Sequence, residues 1–172
     1  MRPSQTMVPS AFAELPFGEK LVLWSMRLWV RAYAEEASAQ DYLRTSFKLA
    51  GASAVRPALD NVMSVLVTVD HGSIDVRQPQ CSEISFGEHR LMLSIAAWQL
   101  DPEAAADRYL VCWLPMAALR LIRAPLRQLA DALACAGLYV RPRPFKYSLA
   151  DWANSQSTAS TISTASIDFI GD

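Results

Sequence analysis

Residues 78–93, QPQCSEISFGEHRLML, place a cysteine, a histidine and two glutamates just ahead of an apolar run. Two chemistries could use such a set. A thiolate at Cys81, in a polar loop before a helix N-terminus, would be a nucleophile with His71 or His89 as its base. Alternatively, Cys81, His89, His71 and nearby acids could ligate a metal. The spacing supports neither. Cys81 and His89 are eight residues apart, which is not a recurrent zinc-ligand spacing, and no Cys-x-x-Cys or His-x-x-x-His accompanies them. Phosphate-binding glycine loops and nucleophile elbows are also missing, in a chain with only 6 glycines. The reading assigns no catalytic, metal-binding or cofactor-binding residue and no cofactor, and it favours a non-enzymatic role.

Ser85 and Glu88 have a simpler explanation. S-x-x-E directly before an apolar helical stretch is a capping box: the serine oxygen accepts from the glutamate N–H, and the glutamate reaches back to the serine N–H. A helix from this box to about Leu100 is expected.

The other chemically suggestive set is basic. Arg120, Arg123 and Arg127 fall on one helical face at i, i+3, i+7. With Arg141, Arg143 and Lys146 they make a positive region beside Phe145 and Tyr147, against the single acid Asp131. Between Asp70 and Asp107 the balance reverses, with seven acids and two arginines. A basic region of this kind suits an acidic helix of a protein partner, or the acidic middle of a second copy in a homodimer. The net charge of −1 makes nucleic acid the less attractive ligand.

The DNA-binding alternative rests on residues 41–63, which have the rhythm of a helix-turn-helix with its turn at Ala50-Gly51-Ala52. Ser53, Arg56 and Asn61 would then face the groove, and Arg44 or Lys48 the phosphates. Pro57 and the apolar remainder of the second helix count against it.

Alanine and leucine supply much of the 52% hydrophobic content, which favours helices over sheets. One domain with a real core fits in 172 residues; two do not fit comfortably. The segment at 21–34, LVLWSMRLWVRAYA, is interrupted by Arg27 and Arg31 and falls short of the ~20 apolar residues of a span. No secretory signal pattern opens the chain. Three cysteines form no disulfide framework, and Cys112 and Cys135, in apolar helical contexts, read as buried thiols. A cytoplasmic protein without membrane association is expected.

Residues 1–16 hold three prolines and read as a flexible arm. The first helix, about Gly18 to Ala37, has Leu21, Trp24, Leu28 and Ala32 along one side and Lys20, Arg27, Arg31 and Glu35 along another. Glu19 sits in its first turn, where the macrodipole favours an acid. A second helix starts at Ser38, capped with Asp41, and stops at Gly51. A third starts at Ser53; its β-branched end, Val62 to Val69, could also form a strand, but length and spacing favour a helix. After the capped fourth helix, Asp101-Pro102-Glu103 starts a fifth that runs to about Leu114. Pro115 permits another start, Pro125 kinks or splits that helix, and Gly137 ends it.

Residues 139–152 read as a basic, proline-containing connector. Residues 153–172, with eight Ser or Thr between Ser155 and Ser166, read as a disordered tail ending in a possible short anchoring motif, IDFI.

From Ile74 to Leu138, the pattern IDVRQPQCSEISFGEHRLMLSIAAWQ…YLVCWLPMAALRLIRAPLRQLADALACAGL resembles a group of small helical proteins of unknown function from alphaproteobacteria. The resemblance implies an all-helical bacterial protein and no known activity. Together these readings give an all-α fold: a single bundle of five or six amphipathic helices over 17–138. The expected role is a protein–protein interaction module, adaptor or regulatory.

Overall fold

In the computed structural model, residues 12–35, 38–69, 75–100, 106–111 and 114–143 are described. The fold is all-α, with helices α1 (Phe17–Glu35), α2 (Ser38–Leu49), α3 (Val55–Val69), α4 (Phe86–Leu100), α5 (Ala106–Leu110) and α6 (Met116–Cys135). The stretch Val62 to Val69 is helical, so the pull of its β-branched residues toward a strand is overridden by packing: Val62, Met63 and Leu66 are buried.

α1 and α4 are enclosed on most sides. Along α1 every residue from Leu21 to Trp29 except Trp24 is buried. Along α4 burial runs from Phe86 to Ala97, interrupted only by His89 and Arg90. Helices this apolar around their circumference must lie inside the fold. α6 instead is two-faced. Ala118, Leu119, Ile122, Leu126, Leu129, Ala130 and Leu133 are buried, and the helix lies against α3 and α4.

The ends of α6 follow from its sequence. Pro115 precedes its first turn, where a missing N–H costs nothing. Gly137, at φ +71°, adopts the left-handed conformation that glycine tolerates. The Gly137 N–H then reaches the Ala134 carbonyl (2.9 Å) and the Leu138 N–H the Leu133 carbonyl (2.9 Å). This is a Schellman closure, and Leu133 and Leu138 are both buried at it. Gly51, at φ +67°, ends the α2 segment in the same conformation. Pro125 lies inside a continuous α6 and does not split it.

Four expectations need correction. Among the described residues the fifth helix is Ala106–Leu110 and ends before Val111, short of Leu114; its proposed start at 101–105 falls outside the described residues. The end of the N-terminal arm is docked: Phe12–Glu14 form a 3-10 turn and Leu15 is 4% exposed. The connector's first residues also belong to the folded body, since Val140 is buried. Cys135 is exposed, not buried, because its apolar neighbours face inward while it ends the outer side of α6. The proposed Ser38 cap side chain, His71, Cys112, Lys146 and the tail at 153–172 lie outside the described residues.

Candidate interaction surface and its supporting network

The QPQCSEISFGEHRLML stretch becomes the structural node of the fold. The Glu88 N–H donates to Ser85 Oγ at 3.1 Å, and the Ser85 N–H donates to Glu88 Oε2 at 2.8 Å. Both halves of the capping box are therefore formed. Ser85 Oγ also donates to the Asp75 carbonyl, and the Gly87 N–H donates to Asp75 Oδ2 at 3.1 Å.

Glu88 does more than cap. Arg27 Nε donates to its Oε1 at 2.7 Å and Arg27 Nη2 to its Oε2 at 2.9 Å, with both side chains at 0% exposure. Nη1 also donates to the Cys81 carbonyl and Nη2 to the Glu83 carbonyl, each at 2.5 Å. The Arg77 N–H, at 3.0 Å, completes the acceptor capacity of Glu88. Phe12 covers the cation, its ring centroid 5.4 Å from Arg27 Cζ, while its N–H binds the Ser82 carbonyl at 2.7 Å. Removing two charges from water is costly, and here the fork geometry and the surrounding backbone partners offset that cost. Arg27 thus leaves the solvated side expected for it in α1 and anchors a loop that has few apolar side chains of its own.

A second network ties down the chain after α6. Glu19, also fully buried, accepts from Arg143 Nε at 3.0 Å and from the Arg141 N–H at 3.2 Å. Gln99 Nε2 donates to the Leu138 carbonyl and Gln99 Oε1 accepts from the Val140 N–H, both at 2.9 Å. His89 hydrogen-bonds the Arg143 backbone. Burial pushes the His89 imidazole below its ordinary pKa, the Arg143 backbone contact opposes this, and the Arg90 and Arg143 charges add to the lowering. Leu15, Glu19, Ile84, His89 and Arg143 help line a cleft of about 30 Å³. That is room for water, and too little for a substrate.

Cys81 contributes its carbonyl to Arg27 and is half-buried. Among the described residues, no three His, Cys, Asp or Glu side chains are grouped as a metal would need. No helix among them is long and apolar enough to cross a membrane.

The arginine set divides. Arg120, Arg123 and Arg127 are exposed on the outer face of α6. Arg127 approaches Asp131 at only 3.9 Å, and both are largely solvated. Beside them runs a second exposed row, Ala117, Leu121, Ala124 and Gln128, with Leu121 62% and Met116 61% exposed. Arg143 does not belong to this surface. Its guanidinium pairs with buried Glu19 at 2.9 Å and so serves the fold, a role that its sequence assignment as a partner-binding residue did not include. The Arg141 side chain is exposed, but its N–H is committed to Glu19.

On α3, the residues facing water include Pro57, Asn61, Ser64 and Thr68, none charged. Arg56 is half-buried between Gln40 (3.3 Å) and Asp60 (3.8 Å), and Arg44 pairs with Asp41 at 2.8 Å. Trp29 closes this corner, its Nε1 donating to Asp60 at 2.8 Å while its ring stacks on Tyr33. Of the two tryptophans of α1, Trp29 is buried and Trp24 half-buried.

Sequence reasoning missed both buried carboxylate–arginine pairs. Their partners are separated by 61 and 124 positions, beyond any local pattern. No family model matches the chain, and comparison with curated proteins and with solved structures gives no match.

Proposed function

We propose that this protein is a protein–protein interaction module whose contact surface is the outer face of α6, and that its partner presents an acidic amphipathic helix. One observation carries the reading. The helix spends its Leu and Ala face on α3 and α4, while its opposite face sets Arg120, Arg123 and Arg127 beside exposed Leu121 and Met116. Clustered arginines flanking an exposed apolar anchor are the composition of a contact surface, with the anchor supplying buried area and the cations orientation. The uncharged outer side of α3 gives the DNA-binding alternative no comparable support.

The test is fluorescence anisotropy with a labelled helical peptide carrying leucines on one face and glutamates along its flanks. Saturable binding that weakens with salt is expected, falling at least tenfold in R120E/R123E/R127E. Equal binding by that variant, or preferential binding of duplex DNA over the peptide, overturns the reading.

A further inference from the structure

We propose that residues 167–170, Ile-Asp-Phe-Ile, occupy the outer face of α6 in cis and so restrict access of a partner to it. This rests on the reading of α6 as the contact surface and adds its regulation. Three observations converge.

The first is charge. After Lys146 the chain carries no further Lys or Arg, and its only ionic side chains are Asp151, Asp168 and Asp172. The α6 face carries Arg120, Arg123 and Arg127. The second is pattern. Ile167, Phe169 and Ile170 bracket Asp168, so one short segment offers apolar groups to Leu121 and Met116 together with a carboxylate for the neighbouring arginines. The third is reach. The folded body is described to Arg143, and Ile167 follows it 24 positions later. Extended at about 3.3 Å per residue, that connection covers up to ~79 Å from Arg143, more than twice the ~30 Å length of α6. A tether of that size gives an effective concentration in the millimolar range, enough to populate a contact of modest intrinsic affinity.

The contact would act as a competitor. A partner helix would have to displace it, lowering the apparent affinity by the fraction of molecules whose face is covered. Any change that weakens the cis contact would raise partner affinity without altering the surface itself.

The experiment uses the full chain with the photo-crosslinker p-benzoylphenylalanine in place of Phe169. Mass spectrometry should map crosslinks to residues 116–128 of the same molecule, in a yield independent of protein concentration and several-fold lower in R120E/R123E/R127E. In a second arm, the full-length D168K/F169S variant should bind the acidic helical peptide at least threefold more tightly than the parent chain. Crosslinks mapping elsewhere, or forming only between molecules, overturn the proposal. Equal peptide affinity of variant and parent overturns the competition and leaves α6 as a partner surface. Crosslinks on α6 with no peptide binding to either form would support the cis contact and overturn the separate-partner reading.

Discussion

Arg27 and Glu88 stand 61 positions apart in the chain and meet as a fully buried, two-pronged ion pair, with Nε–Oε1 at 2.7 Å and Nη2–Oε2 at 2.9 Å. Through this pair α1 holds both the start of α4 and the loop before it. Deleting either partner leaves an uncompensated buried charge. R27A and E88A should each lose about 3–5 kcal/mol of stability, measured by urea unfolding. E88Q should lose less than E88A, because an amide oxygen can still accept the Ser85 N–H. A loss below about 1 kcal/mol in R27A would mean that the charge is not buried as described.

Glu19 plays the corresponding role for the chain after α6. In E19A the Arg143 guanidinium and the Arg141 N–H lose their acceptor. Amide exchange at residues 139–143 should therefore rise more than tenfold, while the closure at Leu138 keeps its protection. Uniform loss of protection along α6 would show that this contact stabilises the whole bundle and not only residues 139–143.

The His89 imidazole gives stability a pH dependence of definite sign. Its folded-state pKa lies below the unfolded value of about 6.5, so the unfolded chain binds the proton more tightly. Its contribution is complete above that value and declines as pH falls from there through the folded pKa. Thermal unfolding between pH 8 and 5 should show a steeper acid-side loss for the parent chain than for H89Q. Parallel curves would remove His89 as the source.

Pro125 removes the donor that the Leu121 carbonyl would receive in an uninterrupted helix, and it lies within the long α6. P125A should restore that bond and raise stability by about 1–2 kcal/mol, visible as a higher Tm. A lower Tm would show that the proline ring itself contributes to the packing of α6.

What could be read from the sequence was what is local. The Ser85–Glu88 box, the stop at Gly137 and the apolar side of α6 each depend on residues within a turn or two, and periodicity carries that information. Arg27 was not legible because its helical position groups it with half-buried Lys20 and exposed Arg31. Only the return of residues 75–85 over α1 converts that side into an interior. Cys135 misled for the opposite reason: apolar neighbours in sequence say nothing about which side of a helix end faces water. Arg143 looked like surface charge because its partner, Glu19, lies at the other end of the chain. The α6 arginines were legible as a stripe, but their neighbourhood with exposed Leu121 and Met116 required knowing which residues of α6 are buried.

The most direct test of α6 as the contact surface is a charge swap read by anisotropy. R120E/R123E/R127E should lose the glutamate-bearing helical peptide and regain comparable affinity for the same peptide with lysines in place of its glutamates. Rescue of that kind requires direct pairing across this face. If the lysine peptide binds the variant no better than the parent chain, the outer face of α6 is not where the partner docks.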